Sequence, residues 1–306
     1  MIDIHSHLIP GVDDGSKSVE DTFEMFNEAI KVGFTDIILT SHYLTDYYEP
    51  KTEELIFWKD KLQEVLDKSN KKLKLHSGME VYISEEIDKL IKENKLLMLA
   101  NSKYILIELP MSTDVKYLDH IMYVLESMGI KFILAHPERY KSIQKNPSLV
   151  QEYIEKGCLI QCNYGSILGQ YGKEAKKTIK TLLKKDLVHF MGSDCHRKNG
   201  IYLEIPKAVK KIEKIVGKEK IYRKDAGKIC ICFEVPHESG TLYNMLSNFI
   251  YNGLNMTKIE SRPIVDKSWE YRFYVEFEGR LEDAAVKNAL GGIKAEANYM
   301  KIIGNF

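Results

Sequence analysis

The sequence lacks the features that mark secreted, membrane-spanning or nucleic-acid-binding proteins. Its 306 residues carry 44 Lys+Arg and 44 Asp+Glu, a formal net charge of zero. Nucleic-acid-binding and membrane-surface proteins usually present a basic excess. No apolar run approaches the ~20 residues of a membrane span, and the N-terminus has no basic segment followed by an apolar one. We therefore expect a cytoplasmic protein with no nucleic-acid partner and no integral membrane segment.

Cysteine is also scarce. The five cysteines are an odd number at irregular spacing: Cys158, Cys162, Cys195, Cys230 and Cys232. This set does not resemble a disulfide framework, and it lacks the paired CxxC motifs of a zinc ribbon. The C-x5-R loop of cysteine-dependent phosphatases is absent around all five. Reduced cytoplasmic thiols are the simplest interpretation.

Short apolar runs alternate with amphipathic stretches over the first two-thirds of the chain. The predicted strands lie near residues 1–4, 36–40, 73–75, 104–109, 131–135, 158–161 and 187–191. The predicted helices lie near residues 19–32, 52–68, 85–94, 115–128, 147–156, 173–184 and 204–216. This alternation indicates βα units and a parallel sheet. Seven units favour a (β/α)7 barrel, although an open doubly wound sheet has the same one-dimensional pattern.

The pattern changes near residue 220. Strands are predicted over 228–235, 255–263, 269–278 and 299–303, and helices over 241–251 and 281–290, with a double glycine after the second helix. The order β-α-β-β-α-β is the ferredoxin-like arrangement of a small α+β domain. We therefore expect two domains, residues 1–220 and residues 221–306.

Six of the seven strands predicted in the first domain have His, Asp or Glu at or just past their C-terminal ends. Alternation along an extended backbone places His5 and His7 on one face, and does the same for Asp194 and His196. Barrel folds build their active sites at these C-terminal strand ends. The candidate ligands are His5, His7, Asp14, His42, Glu80, Glu108, His136, Asp194 and His196.

These residue types point to a metal centre. Imidazole and carboxylate bind Mn, Fe and Zn, and carboxylates can bridge two cations. Nine candidates exceed the four or so that one ion needs, which suggests two or three ions. Cys195 lies between two candidates and should point away from them. The remaining histidines fit a packing or surface role better: His76, His120, His189 and His237.

Each candidate alone would fit a turn, a helix cap or a packed core position. The combination is harder to obtain from packing, because buried imidazoles and carboxylates cost free energy unless they are paired or bound to metal. The coincidence at six strand ends therefore favours the metal centre.

Six ordered segments within residues 1–220 resemble the polymerase-and-histidinol-phosphatase (PHP) family. They are MIDIHSHLIPGVDDG, TSHY, GMEVYI, YILIELP, ILAHPERY and VHFMGSDCH. The closest resemblance is to bacterial manganese-dependent protein-tyrosine phosphatases that regulate capsule and exopolysaccharide synthesis. It implies a distorted (β/α)7 PHP barrel with three divalent ions, manganese being expected and iron or zinc the alternatives.

The resemblance also implies a division of the ligands. Glu80 would bridge two ions, one also bound by His5, His7 and Asp194, and the other by Glu108 and His136. Asp14, His42 and His196 would bind the third ion. The expected reaction is phosphomonoester hydrolysis by a metal-bridging hydroxide, with Arg139 binding the phosphoryl oxygens and Arg139 and Asp194 as catalytic residues.

Residues 221–306 resemble the ACT regulatory domain of prephenate dehydratases. The segments are VPHESGTLYNML, GLNMTKIESRP and WEYRFYVEFEG. The resemblance implies binding of phenylalanine or tyrosine as an effector, and a homodimer or larger assembly through ACT pairing. The expected ligand-binding residues are Gly240, Thr241, Leu242, Asn255, Glu260, Ser261, Arg262 and Pro263. A helix opened by Gly240 would offer free N–H groups to a carboxylate, and a turn at Glu260–Pro263 would contact the rest of the amino acid.

Two family resemblances meeting without a linker suggest an engineered chimera or a natural gene fusion. Three functions stay open at this point. The leading hypothesis is a metal-dependent tyrosine phosphatase under allosteric control by an aromatic amino acid. The alternatives are another PHP phosphoesterase, such as a histidinol-phosphate phosphatase, and a non-catalytic amino-acid sensor.

Overall fold

Two separate sheets contain the strands of the described chain. The structure is a computed structural model, and it describes residues 1–113, 115–216, 227–235, 238–264 and 271–305. Its contacts divide the chain into Met1–Val216 and Gly217–Phe306. The domain boundary predicted between residues 220 and 221 lies outside the described residues, as do His237 and Trp269, and it stays a prediction. Among the described residues, no helix is long and apolar enough to cross a membrane.

The first unit contains seven parallel strands that neighbour one another in chain order. They are β1 (Ile2–Asp3), β2 (Asp36–Tyr43), β3 (Lys74–Tyr82), β4 (Tyr104–Glu108), β5 (Lys131–Ala135), β6 (Leu159–Asn163) and β7 (Phe190–Gly192). The chain just after β1 meets the chain just after β7. His7 N donates to Cys195 O at 2.9 Å, and Asp194 N donates to His5 O at 2.8 Å. The sheet is therefore a nearly closed barrel, which confirms the barrel and excludes the open doubly wound sheet.

Helices connect these strands and cover the outside of the barrel. They are α1 (Val19–Lys31), α2 (Thr52–Lys68), α3 (Ile87–Lys92), α4 (Leu118–Ser127), α5 (Lys141–Lys145), α6 (Leu149–Glu155), α7 (Tyr164–Leu168), α8 (Gly172–Lys184) and α9 (Ile201–Val216). Helix α1 shows how the sequence specifies them. Ser18 caps its first turn by accepting from Asp21 N at 3.2 Å, and Met25, Phe26 and Ala29 form its buried face.

Two features of this unit differ from the sequence prediction. Strand β3 extends seven residues beyond the predicted end at Leu75, because it pairs with β2 as far as Val81 and with β4 over Glu80–Tyr82. Helices α5 and α7 were not predicted. Each has five residues, barely more than one helical turn. A helix this short shows no repeat of apolar residues at 3.6-residue spacing, so the sequence pattern does not reveal it.

The second unit is an antiparallel sheet with two helices, which confirms the predicted β-α-β-β-α-β order. It runs β8 (Lys228–Glu234), α10 (Thr241–Tyr251), β9 (Met256–Pro263), β10 (Tyr271–Glu278), α11 (Ala284–Glu296) and β11 (Tyr299–Asn305). The sheet order is β11-β8-β10-β9. Ile231, Phe233, Phe249 and Phe277 are buried in its core.

The double glycine was wrongly predicted to follow the last helix. Gly291 and Gly292 lie inside α11, which continues to Glu296. A Cβ at Gly292 would collide with the side-chain oxygen of Asn248 on α10. Val286, Ala289 and Ile293 of the same helix are buried, and this packing outweighs the low helix propensity of the two glycines.

Candidate metal centre

The nine predicted ligands lie at or just beyond the C-terminal ends of six barrel strands. Because parallel strands all point the same way, these ends meet at one mouth of the barrel. A cavity of about 260 Å³ opens there. Its lining residues are Asp14, His42, Leu44, Tyr48, Glu80, Tyr82, Glu108, His136, Arg139, Asp194 and His196.

Four buried ligands form the centre of the cluster: His5, His7, Glu80 and Asp194. The two imidazoles face each other, with their Nε2 atoms 3.2 Å apart. Glu80 Oε2 lies 3.1 Å from His5 Nε2 and 3.2 Å from His7 Nε2. One ligand atom from each of the four lies within 4.8 Å of the others. Such a set can bind a single ion.

Two further groups share residues with the first. His7, Asp14, His42 and His196 form one, and His42, Glu80 and Glu108 form the other. His136 lies beside the last group, with Nε2 2.9 Å from Glu80 Oε1 and 3.6 Å from Glu108 Oε1. All nine predicted ligands are thus brought together around Glu80 or its neighbours.

Two buried polar atoms of this cluster have no hydrogen-bond partner among the described residues. Glu80 Oε2 faces three imidazoles and His136 Nδ1 is buried, yet neither forms a hydrogen bond among the described residues. An unsatisfied buried carboxylate oxygen costs free energy that a bound cation would recover. The donors are nitrogen and oxygen, which suit Mn, Fe or Zn. The residues present therefore fit divalent metal ions.

The charges of the cluster perturb its own titration. Burial lowers the pKa of the His5 imidazole, but the carboxylates of Glu80 and Asp194 outweigh it and raise the pKa to about 9. Burial and the Glu80 carboxylate raise the pKa of Glu108 to about 7. Burial and the neighbouring His7 lower the pKa of His42 to about 4. Closely packed groups that compete for protons in this way are typical of functional sites.

Strand β6, the one strand without a predicted ligand, supplies two amides that orient ligands. Gln161 Oε1 lies 2.9 Å from His5 Nδ1, and Gln161 Nε2 donates to Asn163 Oδ1 at 2.9 Å. Asn163 Nδ2 donates to Asp194 Oδ2 at 2.6 Å. Sequence reasoning missed both residues. Their i, i+2 spacing at a strand end, like that of His5 and His7, was the available signal.

Asp13 was also missed. The sequence analysis selected its neighbour Asp14, but Asp13 is the buried one, and its Oδ2 lies 2.9 Å from His7 Nδ1. The same oxygen accepts from His42 N at 3.0 Å. Asp13 therefore orients two ligands of the cluster, while the half-exposed Asp14 faces His42 and His196 at 3.5 and 3.3 Å.

Arg139 lies at the edge of the cluster, held on two sides. Its Nη1 donates to Asp194 Oδ2 at 3.0 Å, and its guanidinium lies 4.4 Å from the Tyr171 ring centroid. The Tyr171 hydroxyl donates to the same Asp194 oxygen at 3.3 Å. Asp194 Oδ2 thus accepts from Arg139, Asn163 and Tyr171, while Oδ1 faces the histidines. Tyr171 was not predicted, because nothing local marks a loop tyrosine as an arginine contact.

His76 and His189, which were assigned packing or surface roles, lie outside the cluster. His76 pairs with Asp36 at 3.0 Å, and His189 Nδ1 accepts from Ile160 N at 3.1 Å. Cys195 points away, as expected, with its sulfur 3.7 Å from Met25 Sδ. The described cysteines are all free thiols.

In the second unit, the predicted amino-acid-binding residues lie at the start of one helix and along one strand, and two of them are far apart. Gly240, at φ 89°, precedes α10, and Thr241 and Leu242 begin that helix. The expected turn at Glu260–Pro263 is wrong, because these four residues are paired with β10 as part of strand β9. Asn255 precedes β9, and Arg262 is seven residues further along it, roughly 23 Å at strand rise.

Comparison with known proteins places the barrel in one family. The family model described as "Capsular polysaccharide synthesis, CpsB/CapC" matches residues 1–230. The tyrosine-protein phosphatase YwqE of Bacillus subtilis (strain 168) is 34% identical over 222 residues, covering 72% of this chain and 87% of YwqE. A solved structure from work on YwqE and on CpsB of Streptococcus pneumoniae, called "unique metal-dependent tyrosine phosphatases", matches with a TM-score of 0.68. It is 34% identical and covers 72% of this chain and 89% of that chain.

The C-terminal region has a separate, shorter match. The bifunctional chorismate mutase/prephenate dehydratase of Aquifex aeolicus (strain VF5) is 37% identical over 92 residues. The match covers 30% of this chain and 25% of that enzyme. The two units of the chain are therefore similar to different proteins.

Proposed function

The chain belongs to the CpsB/CapC capsular polysaccharide synthesis family, and from this premise we propose that it is a metal-dependent protein-tyrosine phosphatase. The substrate is a phosphotyrosine protein or peptide, and the reaction is hydrolysis of the phosphomonoester. The observation that carries the proposal is the convergence of nine imidazole and carboxylate ligands with Arg139 around one cavity. Its similarity to named tyrosine phosphatases supports the same assignment.

We assign three divalent ions to this site, with manganese expected. His5, His7, Asp194 and Glu80 would hold one ion; Glu80, Glu108 and His136 would hold a second; Asp14, His42 and His196 would hold the third. Glu80 is shared by two of the overlapping ligand groups, as this division requires. The group with Glu80 and Glu108 contains His42, and His136 is assigned to it because its Nε2 lies 2.9 and 3.6 Å from those carboxylates. When bound, the ions supply Lewis-acid charge to the phosphoryl group and activate water for attack.

The protein's own groups bind and orient the phosphoryl group. One edge of the Arg139 guanidinium is held by Asp194 and its face by Tyr171, so the remaining N–H groups can donate to phosphoryl oxygens. Asn163 and Gln161 keep Asp194 and His5 in place. Tyrosinate leaves with a pKa of about 10, so it needs less protonation than an alkoxide would.

Turnover measured on the intact chain tests this function. With Mn²⁺, we expect hydrolysis of a phosphotyrosine peptide that is abolished by a chelator and restored by re-added metal. A preference for histidinol phosphate over the peptide would instead indicate the other phosphoesterase. A chain that purifies without Mn, Fe or Zn and gains no p-nitrophenyl phosphatase activity when they are added would indicate a non-catalytic sensor.

We further infer that the second unit binds phenylalanine or tyrosine between two copies of the chain. Strand β9 is an edge strand with mostly exposed side chains and pairs only with β10 in the described sheet. Antiparallel pairing of β9 with its copy would bring Asn255 of one chain towards Arg262 of the other. This would unite the predicted residues that one chain separates.

Amino-acid control requires that the effector bind two states with different affinity. We expect phenylalanine to change kcat, KM or oligomer size of the intact chain, measured by kinetics and light scattering with phenylalanine, tyrosine and leucine in parallel. If saturating phenylalanine left all three quantities unchanged, the regulatory role would be wrong while the phosphatase assignment would stand.

A further inference from the structure

One part of the cavity lining is apolar. Beside the ligands and Arg139, the cavity is lined by Leu44, Tyr48 and Tyr82, each of them half-buried. Binding of metal ions and a phosphoryl group needs charged and polar atoms. The apolar wall formed by these three side chains has no role in binding the ions or the phosphoryl group. It must therefore contact another part of the ligand.

A fixed turn presents two of these residues. Leu44 and Tyr48 exchange both backbone hydrogen bonds, each at 2.8 Å, so their side chains stand next to each other. Between them, Asp46 adopts φ 68°, and its N donates to Glu49 Oε1 at 2.8 Å. The turn follows β2 directly, and it therefore sets the wall against the metal ligand His42, whose ring stacks on Tyr48 with centroids 6.0 Å apart.

The third residue comes from the neighbouring strand. Tyr82 follows Glu80 by two positions at the end of β3, so both side chains project to the same face. Burial and the nearby Glu108 carboxylate raise the pKa of the Tyr82 phenol. Two aromatic rings and one leucine therefore border the cavity within reach of its carboxylates.

A phosphoryl group bound by Arg139 and the metal ligands must direct its ester substituent towards the remaining lining. We propose that Leu44, Tyr48 and Tyr82 form a binding subsite for an aromatic leaving group, which makes the enzyme selective for aryl over alkyl phosphates. This proposal rests on the proposed phosphatase function. An aryl ring gains both buried apolar area and ring–ring contact at such a wall, and a short alkyl group gains little of either.

The first test measures kcat/KM of the intact Mn²⁺-loaded chain on phosphotyrosine and phosphoserine versions of one peptide. We expect the ratio of kcat/KM on phosphotyrosine to kcat/KM on phosphoserine to fall about tenfold in Tyr48→Ala and in Tyr82→Ala. In Tyr48→Phe this ratio should stay at no less than about half of the wild-type value. Tyr47→Ala is the matched control. Tyr47 is the adjacent tyrosine, 79% exposed and outside the cavity lining, and we expect its removal to leave the ratio at the wild-type value.

A binding measurement separates this proposal from the function on which it rests. By calorimetry, the wild-type chain should bind phenylphosphonate about tenfold more tightly than methylphosphonate, and Tyr48→Ala should remove most of that difference. Phenylphosphonate preference without phosphotyrosine turnover would overturn the phosphatase function and support the subsite. Phosphotyrosine turnover with equal losses on both substrates in Tyr48→Ala and Tyr82→Ala would overturn the subsite alone.

Discussion

The barrel and the C-terminal unit place their predicted functional residues in opposite ways. In the barrel, ligands that are up to 191 positions apart in sequence, His5 and His196, meet around one cavity and most are buried. In the C-terminal unit, Asn255 and Arg262 are only seven positions apart but lie towards opposite ends of one exposed strand.

The difference follows from where the residues lie on their strands. Strands of a parallel barrel all end at the same mouth, so residues just after each strand converge whatever their distance in sequence. Asn255 and Arg262 instead lie along a single strand, which rises about 3.3 Å per residue, so seven positions keep them far apart within one chain. The barrel ligands therefore come together within one chain, while the amino-acid site that we propose for the C-terminal unit would need a second copy of the chain. The predictions below test how far this contrast holds.

The largest expected effect is loss of the central barrel carboxylate. Glu80→Gln removes the charge that faces three imidazoles, and we expect phosphatase activity to fall by at least about a thousandfold. Glu85→Gln, an exposed neighbour just beyond β3, should retain full activity. Kinetics with metal analysis measures both variants, and circular dichroism checks the fold. If Glu80→Gln kept activity within tenfold of wild type, the claim that the barrel ligands form one catalytic centre around Glu80 would be wrong.

A smaller effect is expected from a residue that only orients a ligand. Asn163→Ala removes the donor 2.6 Å from Asp194 Oδ2, and we expect metal affinity or activity to fall about 10–100-fold. Titration of the metal-free chain with Mn²⁺ measures the affinity. If the Mn²⁺ dissociation constant and kcat of Asn163→Ala were both unchanged, the metal ligands of the barrel would not depend on Asn163 of β6 for their position.

The third prediction concerns pH. The pKa of His5 is raised to about 9, so in the metal-free chain this imidazole is protonated at neutral pH and a metal ion must displace the proton. Metal affinity should therefore rise with pH by about tenfold per unit for each displaced proton, levelling off above about 9. Calorimetry in buffers of different ionisation enthalpy measures proton release. The affinity of the second unit for an amino acid should not change with pH in this way. If metal affinity and amino-acid affinity rose equally with pH, the contrast between the barrel and the C-terminal unit would be lost.

The smallest expected effect distinguishes the thiols of the two units. Cys158, Cys162 and Cys195 in the barrel are at most 1% exposed, and burial raises the pKa of each thiol. Cys230 on β8 is partly exposed, and burial and the nearby Glu276 carboxylate raise its pKa to about 11. We expect iodoacetamide at pH 8 to alkylate Cys230 about tenfold faster than the barrel cysteines, as followed by peptide mass spectrometry. Faster labelling in the barrel would indicate that it opens more readily than its packing implies.

Much of the barrel was predictable because its signals are local. Strand-end ligands such as His136 and the i, i+2 pair of Asp194 and His196 are visible in the sequence, since alternation and strand direction are properties of short segments. Tyr171 was missed because its partners, Arg139 and Asp194, come from distant segments. Asp13 was missed because its role depends on how the loop after β1 folds back onto His7 and His42. The end of α11 was also misjudged, because the burial of Ile293 beyond the two glycines carries the helix through them.

The sequence by itself determined the order of the elements, the nitrogen and oxygen ligand types and the strand ends that carry them. These depend on periodicity and residue chemistry, which are local. Only the tertiary structure decided that Glu80 contacts His5, His7 and His136 at once, that Gln161 and Asn163 orient ligands, and that Asn255 and Arg262 stay apart. Such contacts are set by barrel closure and sheet pairing, which join segments that have no sequence signal in common.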